Sequence, residues 1–421
     1  MHSRPADSLT DSSFAQEAHD LLRSCVHCGF CLPACPTYRI TGSELDSPRG
    51  RIYLIKEMLE HGDATETART HLDRCLTCRA CETACPSGVQ YGRLADLGRE
   101  LVEREPPSSR DPGTRFVRLV LAKVATRREL VTPLVRIGQA IRPALPGALR
   151  AMVPAKEDRR STTRDLLGWP SARHARRMAV LEGCVQPGLA PGINAAAARV
   201  LDRVGISAQR LAGERCCGAL AHHLDRKEHA LAQARANVEA ASAALDAGAD
   251  AIVSTTSACG LMVRDYGRLL AGDPAFAQRS ARVSSATRDI AELIEPGDLE
   301  RLCPAAGSGP RVAIQTPCTL QHGQRITGRI EALLTAAGFV VTPTSEVTLC
   351  CGSAGTYSIL QPELSSELRR RKLAALAGGN PQLIATANIG CLEHLRVASP
   401  VPVRHWIELV AEALDREPRD R

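Results

Sequence analysis

Short apolar runs alternate with helical patterns through the second half of the chain. Four such runs predict buried β-strands, at residues 178–181, 251–254, 311–314 and 383–386. Helical patterns, each followed by a glycine that predicts the helix end, lie at 196–204 and 330–337. Strands that alternate with helices indicate parallel sheets, and ligands collect beyond the carboxyl ends of such strands. We therefore expect two Rossmann-like α/β lobes.

Between residues 49 and 60 the apolar positions follow a helical period. Ile52, Ile55 and Leu59 are spaced along one helix face, and Gly62 predicts the helix end. Frequent prolines from Pro106 to Pro170 divide the following stretch into short helical pieces. The expected α+β multidomain fold has a helical domain over 1–105, a connector over 106–177, and two lobes over 178–300 and 311–415.

Composition narrows the class of protein. The chain has 421 residues, of which 44% are hydrophobic, and this excludes a disordered or collagen-like chain. A chain of this length holds about two to four domains. The net charge of +7 is mild and aromatic residues make up only 3%, so we expect no nucleic-acid partner.

Seventeen cysteines make the composition unusual. The first 20 residues contain several acids and no apolar run typical of a signal peptide, and no apolar stretch approaches about 18 residues. We therefore expect a cytoplasmic protein without a membrane-spanning helix. In that compartment many cysteines indicate metal or redox chemistry rather than disulfides.

Eight cysteines form two near-identical runs with the spacing C-x2-C-x2-C-x3-C-P. In bacterial two-cluster ferredoxins, the fourth cysteine of such a run ligates the other cluster. We therefore expect one [4Fe–4S] cluster on Cys25, Cys28, Cys31 and Cys85, and a second on Cys75, Cys78, Cys81 and Cys35. Zinc sites or free thiols are the alternatives, but neither explains the third regularly spaced cysteine and the Cys-Pro in both runs.

Eight further cysteines form two similar units, and the second unit begins 134 residues after the first. In each unit a single cysteine is followed 32 residues later by Cys-Cys-Gly, and then by another cysteine. The two units contain Cys184, Cys216, Cys217 and Cys259, and Cys318, Cys350, Cys351 and Cys391. All are predicted near strand ends, which brings them towards the interface between the lobes. His222 and His223 are expected to be solvated or capping residues rather than ligands.

Both cysteine-containing parts resemble known families. The paired runs are similar to the helical ferredoxin domain in iron–sulfur subunits of quinone-linked dehydrogenases. The repeated units resemble the CCG domain of the heterodisulfide reductase family, whose tandem pattern carries unusual iron–sulfur clusters. That family has a further cysteine in each unit, where this chain has Met262 and His394. A third cluster on part of the eight cysteines, buried thiols and redox dithiols therefore all stay open.

The order of the domains is similar to that of the iron–sulfur subunits of glycolate oxidase. The resemblance is most specific at residues 28–38, 46–52, 71–78 and 350–363. It implies electron transfer from a flavoprotein subunit, which oxidises glycolate to glyoxylate, to a membrane acceptor such as quinone. We expect no catalytic residue, flavin or NAD site on this chain. The alternatives are a subunit of an anaerobic glycerol-3-phosphate or lactate dehydrogenase, and a thiol redox enzyme resembling heterodisulfide reductase.

The connector is basic and partly apolar. Between Phe116 and Met152 its only acid is Glu129, and apolar residues up to Leu145 are interleaved with the basic ones. The basic residues are Arg118, Lys123, Arg127, Arg128, Arg136, Arg142 and Arg150. Such a segment is expected to lie peripherally on the cytoplasmic face of the inner membrane, attracted by anionic lipid. Packing on the two domains or on the flavoprotein is the alternative.

Overall fold

The computed structural model describes residues 6, 13–104, 111–144, 146, 167–303 and 309–416. Its N-terminal domain contains α1 (Ser13–Arg23), α2 (Pro36–Thr41), α3 (Pro48–His61), α4 (Glu66–Asp73), α5 (Ala80–Thr83) and α6 (Tyr91–Arg104), with a 3-10 turn at Glu44–Asp46. The helical pattern at 49–60 is confirmed by α3. This helix ends, as predicted, at Gly62, which adopts a left-handed φ of 81°.

Helices α3 and α6 form the centre of the N-terminal domain. Their apolar faces meet around Ile55 and Leu94, which are fully buried. The start of α3 is capped by Ser47, whose hydroxyl accepts a hydrogen bond from the Gly50 N–H at 2.9 Å. A Cβ at Gly50 would lie 2.1 Å from the Glu44 carbonyl oxygen, so only glycine fits there. The first turn of α3 is thus fixed between the two cysteine runs.

Two connector helices, α7 (Pro112–Val124) and α8 (Arg128–Ile141), lie against the first lobe. Arg118 is buried and pairs with Asp225 at 2.6 Å, and Arg128 pairs with Glu182 at 3.1 Å. These two arginines hold the connector to the lobe, and for the buried Arg118 the expectation that it faces a membrane is wrong. Leu145, Arg150 and Met152 lie outside the described residues. No helix in the described ranges is long and apolar enough to cross a membrane.

Each lobe is a parallel sheet with helices packed around it. Lobe 1 contains β1 (Arg176–Leu181), α9 (Gln186–Leu189), α10 (Gly192–Arg203), β2 (Ile206–Arg210), α11 (Ala219–His223), α12 (Lys227–Asp246), β3 (Ala251–Ser254), α13 (Ser257–Arg264), α14 (Tyr266–Leu269), α15 (Ala277–Ala286), β4 (Thr287–Asp289) and α16 (Pro296–Leu302). Lobe 2 contains β5 (Arg311–Gln315), a π-helical turn (Thr319–Gly323), α17 (Arg329–Ala336), β6 (Val340–Val341), α18 (Tyr357–Leu360), α19 (Pro362–Ala377), β7 (Leu383–Thr386), α20 (Ile389–Arg396), β8 (Val403–His405) and α21 (Trp406–Leu414).

The two sheets have the same topology, which confirms the expected pair of Rossmann-like lobes. Strand order is β2-β1-β3-β4 in lobe 1 and β6-β5-β7-β8 in lobe 2, and every pairing is parallel. Gly205 and Gly338, which follow α10 and α17, have left-handed φ values of 82° and 93°. The strand order changes direction between β1 and β3 in lobe 1, and between β5 and β7 in lobe 2. At that point the carboxyl ends of the strands leave a crevice for ligands.

The lobes share one apolar core. Buried residues of β1, β3, β5 and β7 belong to the same cluster as Trp406, which is fully buried on α21. Across the interface, the Nε2–H of His405 donates to the Thr255 carbonyl oxygen at 2.9 Å. The Ser257 N–H donates to the Ala387 carbonyl oxygen at 3.2 Å. The segments that follow β3 and β7 are therefore held against each other.

The N-terminal domain contacts both lobes through its second cysteine run. On lobe 1, Arg79 pairs with Asp265 at 2.9 Å. On lobe 2, the Tyr357 hydroxyl donates to the Arg74 carbonyl oxygen at 3.1 Å. These contacts place the second run at the junction of the three domains.

Candidate iron–sulfur centres

The two cysteine runs fold into loops with matching backbone conformations. In the first loop His27 and Gly29 have φ values of 57° and 84°, and in the second Thr77 and Arg79 have 53° and 60°. Residues with a left-handed backbone conformation bend a loop into a concave shape, and the backbone N–H groups of the loop then point into the concavity. Arg79 carries a side chain in a conformation that favours glycine, and its guanidinium pairs with Asp265 of lobe 1 at 2.9 Å.

The first site lies at the protein surface. One cavity is lined by the four predicted ligands, Cys25, Cys28, Cys31 and Cys85, and also by Cys81 of the second run. Cys28 is exposed, whereas burial raises the pKa of the Cys31 thiol to about 11. Val26 and Phe30, on either side of Cys28, are 68% and 67% exposed. The structure thus brings Cys85 to the first run, beneath an apolar surface loop.

The second site is buried at the domain junction. Its four predicted ligands, Cys35, Cys75, Cys78 and Cys81, lie within electrostatic range of one another. Burial, reinforced by the neighbouring thiols, raises the pKa values of Cys78 and Cys81 well above the usual value. The sulfur of Cys75 accepts hydrogen bonds from the Thr77 N–H at 3.4 Å and the Tyr91 hydroxyl at 3.7 Å. Hydrogen bonds to sulfur are one means by which a protein tunes a cluster.

Two buried guanidiniums lie beside the second site. Arg51 is 1% exposed, and its Nη1 lies 3.9 Å from the Cys35 sulfur. Arg99 is also buried and donates to the Cys75 carbonyl oxygen at 2.8 Å. Burial acts to raise the pKa of Cys75, but these two charges outweigh it and lower the pKa below its usual value. Sequence reasoning missed both arginines, although Arg51 lies four residues before Ile55 and so on the buried face of the predicted helix.

The donor sets suit iron–sulfur clusters. Every predicted ligand is a sulfur, the soft donor that selects such clusters, and a ligand must be a thiolate. Buried thiols with raised pKa values ionise only beside positive charge, which iron supplies. Within the described parts of the chain, no group of three or more Cys, His, Asp or Glu side chains is close enough to hold a single metal ion. At the first site the four sulfurs instead line a cavity.

The cysteines of each lobe form their own group. We call them the lobe-1 set (Cys184, Cys216, Cys217, Cys259) and the lobe-2 set (Cys318, Cys350, Cys351, Cys391). Sulfur–sulfur distances are 3.3 Å for Cys184–Cys216 and 3.2 Å for Cys351–Cys391. Both sets line one large cavity between the lobes, the N-terminal domain and α7. The cysteines therefore converge on the lobe interface as predicted, but as two separate groups of four.

The second site adjoins the lobe-2 set. Leu76, which follows the first ligand of the second run, packs with Leu349, Cys350 and Tyr357 in one apolar cluster. Cys78 and Cys318 are partly buried against this cluster. An ionised Cys318 raises the pKa of Cys78, after burial the largest cause of its shift. The second site and the lobe-2 set are therefore neighbours.

His222 lines the large cavity at its polar end. Its Nε2 lies 3.2 Å from the Asp96 carboxylate, and both side chains are mostly buried. Burial acts to raise the pKa of Asp96, but the histidine beside it lowers the pKa below its usual value. The expectation that His222 is a solvated or capping residue is therefore wrong. No sequence pattern links it to Asp96, which lies on a different domain.

Two family models match the chain. The "4Fe-4S dicluster domain" matches residues 21–89, and the "Cysteine-rich domain" matches 178–264 and 312–396. These matches cover both cysteine runs and all eight cysteines of the two lobe sets. The seventeenth cysteine, Cys303, lies between the two matched ranges of the lobes. Fold, donor sets and matches together define an iron–sulfur electron-transfer protein with one dicluster domain and two cysteine-rich domains.

Known relatives place the chain within this class. It is 46% identical to the "Glycolate oxidase iron-sulfur subunit" of Escherichia coli (strain K12), covering 99% of this chain and 100% of that protein. It is 31% identical to the "Probable glycolate oxidase iron-sulfur subunit" of Bacillus subtilis (strain 168), covering 93% and 94%. A "Lactate utilization protein A" from an Exiguobacterium strain is 25% identical, covering 56% of this chain and 98% of the relative. The chain belongs to the family of glycolate oxidase iron–sulfur subunits.

Proposed function

We propose that this chain is the electron-transfer subunit of a glycolate oxidase complex, in which a flavoprotein partner oxidises glycolate to glyoxylate. The observation that carries the proposal is the order of the cysteine sites, from an exposed first site to a buried second site beside the lobe-2 set. When bound, a [4Fe–4S] cluster supplies one-electron transfer, whereas a flavin takes two electrons from an alcohol at once. The substrate, the flavin and any catalytic residue are assigned to partner subunits.

The exposed loop of the first run is the proposed entry point for electrons. Val26 and Phe30 lie on either side of Cys28, and these residues are 68% and 67% exposed. Large apolar side chains grouped on a surface are typical of a site for a partner protein. We assign this loop to contact with the flavoprotein.

Fixed charges support electron transfer from the first site to the second. Arg51 and Arg99 are buried beside the second site. Arg49, near the first site, is partly exposed and paired with Glu44 at 2.7 Å. A buried positive charge stabilises an added electron more than a solvated, paired charge does. We therefore expect the second site to have the higher reduction potential.

The large cavity is the proposed end of the route. Its lining is mainly apolar and includes Leu121, Leu189 and Leu220, which suits the ring of a quinone acceptor. A third iron–sulfur cluster on cysteines of the lobes is part of the same proposal.

Reduction of a quinone takes two electrons and two protons. The His222–Asp96 pair also lines a neighbouring cavity of charged residues, which offers protons a route from solvent.

The alternatives differ in the partner or in the chemistry of the lobes. Lactate and glycerol-3-phosphate systems would use the same electron route with another flavoprotein. The Lactate utilization protein A relative aligns with only 56% of this chain, which favours the glycolate system. A thiol redox enzyme is disfavoured because Met262 and His394 replace the further cysteine of the heterodisulfide reductase pattern.

The complex, isolated anaerobically from its native host, should contain a flavoprotein and respond to glycolate. Adding glycolate is expected to bleach the visible absorbance of the clusters and to produce their reduced-state EPR signals. Lactate differs by one methyl group, and a site that fits glycolate is expected to react with it at least about tenfold more slowly. If lactate or glycerol-3-phosphate reduces the clusters faster, the assignment to glycolate is wrong.

A variant tests the entry point in the same preparation. Phe30→Glu places a charge in the proposed docking surface, so co-purification of the flavoprotein and glycolate-dependent bleaching should both be lost. Dithionite should still reduce the clusters of the variant. Val397→Glu, at a side chain 55% exposed on lobe 2, is the matched control and should leave both readouts unchanged. An intact complex with Phe30→Glu would place the flavoprotein elsewhere.

The outer surface of the connector helices is the proposed membrane contact, on the cytoplasmic face of the inner membrane. This outer surface contains Phe116, Leu134, Ile137 and Ile141, whose side chains are 66%, 53%, 58% and 50% exposed. Lys123, Arg127 and Arg136 are exposed on the same segment. The only acids between residues 111 and 144 are Asp111 and Glu129. Exposed apolar and basic side chains together suit the interface of an anionic bilayer.

Charge reversal should release the subunit from vesicles. Each basic residue near an anionic surface contributes about 1 kcal/mol, so even neutralising three should weaken binding about a hundredfold. We expect the Lys123→Glu, Arg127→Glu, Arg136→Glu triple variant to remain in the supernatant when the native full-length chain sediments with phosphatidylglycerol-containing vesicles. Reversal of three exposed arginines on lobe 1, Arg203, Arg226 and Arg279, is the control and should not change sedimentation. Persistent binding of the first variant would indicate that this surface docks protein instead.

A further inference from the structure

A single wall separates the large cavity from the smaller cavity of charged residues beside it, which we call the charged cavity. The residues that line both cavities are Asp96, His222, Met262, Arg268 and Leu269. Met262 and Leu269 are apolar, and the guanidinium of Arg268 keeps its protons at physiological pH. Asp96 and His222 are therefore the members of this wall that can take up and release a proton.

The charged cavity connects this wall to solvent. Lys227 and Glu103 line it and are exposed, and Glu100, which pairs with Lys227 at 3.1 Å, is partly exposed. The other charged residues that line it are Arg93, Asp225 and Arg268. A cavity lined by charged side chains holds water, and water passes protons along hydrogen bonds. Protons from solvent can therefore reach the wall without crossing apolar protein.

The proton-carrying pair is held between two domains. Asp96 lies on α6 of the N-terminal domain and His222 on α11 of lobe 1, with the His222 Nε2 at 3.2 Å from the carboxylate. Arg79, Arg93 and Arg99 lie within electrostatic range of that carboxylate. A carboxylate among cations stays ionised, so Asp96 fixes the orientation of the ring and His222 is the group that exchanges the proton.

His223 continues the path into the large cavity. It is exposed, and it lines the large cavity but not the charged one. Its ring lies beside that of His222, with the ring centroids 5.6 Å apart and the planes tilted by 59°. One water molecule can bridge two imidazole rings at such a separation. The pair of histidines thus extends from the wall to the space in which an acceptor would bind.

We propose that His222, oriented by Asp96, supplies the protons for reduction of a quinone in the large cavity, and that His223 passes them to the quinone oxygens. The inference rests on the quinone acceptor of the proposed function. Two electrons, which glycolate provides and the iron–sulfur sites transfer one at a time, and two protons convert one quinone to one quinol. After each proton leaves the imidazolium of His222, the neutral ring takes another from solvent through the charged cavity. No covalent bond to the protein forms.

Replacement of His222 in the isolated complex tests this role. His222→Gln keeps a hydrogen-bonding group beside Asp96 but cannot exchange a proton at neutral pH. With glycolate as the donor, the variant should reduce a short-chain ubiquinone at least about tenfold more slowly than the native complex. Ferricyanide takes one electron and no proton, so its reduction should be unchanged. His174→Gln is the matched control, because His174 pairs with Asp202 at 3.0 Å but lines neither cavity.

Chemical rescue separates proton supply from a structural role of the same side chain. His222→Ala leaves space for a small base, so imidazole in the buffer should restore quinone reduction by this variant and should not change that of His174→Ala. Unchanged quinone reduction by His222→Gln would overturn the inference, and so would a slowed His222→Ala complex that imidazole does not restore. A native complex that reduces ferricyanide but no quinone would instead show that the acceptor in the proposed function is wrong, and the inference would fall with it.

Discussion

Replacing Cys35 by serine is expected to remove the cluster of the second site and to leave that of the first site in place. Cys35 belongs to the first run in sequence, but in the structure it lies among Cys75, Cys78 and Cys81. Its sulfur also lies 3.2 Å from the Thr37 hydroxyl and 3.9 Å from Arg51, both within the second site's surroundings. Without this sulfur the second site keeps three ligands, so about four iron atoms should be lost or become labile.

The matched replacement, Cys85→Ser, should have the opposite effect. Cys85 lines the cavity of Cys25, Cys28 and Cys31, so its loss is expected to damage the first site. EPR spectra of the two dithionite-reduced variants should therefore each retain the signal that the other lacks. If Cys35→Ser instead removed the same signal as Cys25→Ser, each run would hold its own cluster, and the exchange of fourth ligands would be wrong.

The local features of the fold were predictable because they depend on short-range spacing. The strands at 251–254 and 383–386 have the predicted bounds, since an apolar run between turn residues leaves little choice of conformation. The matching loops of the two cysteine runs likewise follow from identical spacing. The repeat of 134 residues predicted two similar lobes, and the sheets confirm it.

The charges around the sites were not predictable, because their partners come from distant parts of the chain. Lys372 looks like an ordinary polar position of α19, and only the packing of lobe 2 buries it against the Glu346 and Val347 carbonyl oxygens. Arg118 lies in a basic, apolar stretch that resembles a membrane-binding segment, yet it pairs with Asp225 more than 100 residues away. Composition records how many charges a segment carries, but tertiary structure decides which of them face solvent.

Arg51 is the position at which stability and electron transfer are expected to depend on the same side chain. It is 1% exposed and donates to the His71 carbonyl oxygen at 2.6 Å and to the Thr37 hydroxyl at 3.1 Å. It also pairs at 3.4 Å with Asp46, which is fully buried. Arg51→Leu would leave that carboxylate with fewer partners and should lower the free energy of unfolding by about 3–5 kcal/mol.

The same variant should lower the reduction potential of the second site. The guanidinium is a buried positive charge beside Cys35, and removing it disfavours the more negative, reduced state. We expect a shift of at least about 59 mV, which corresponds to a tenfold change in a one-electron equilibrium. EPR-monitored titration measures this shift separately from thermal unfolding.

Arg51→Lys separates the two effects, because lysine keeps the charge but cannot make the same set of planar hydrogen bonds. It should restore most of the potential while recovering only part of the stability. Arg49→Leu is the matched control: Arg49 is partly exposed, paired with Glu44, and close to the first site. Solvent and Glu44 screen its charge, so its loss should change the first site's potential less than Arg51→Leu changes the second. Equal shifts for the two variants would mean that burial of Arg51 does not raise the potential of the second site, and the proposed inward direction of electron transfer would lose its physical basis.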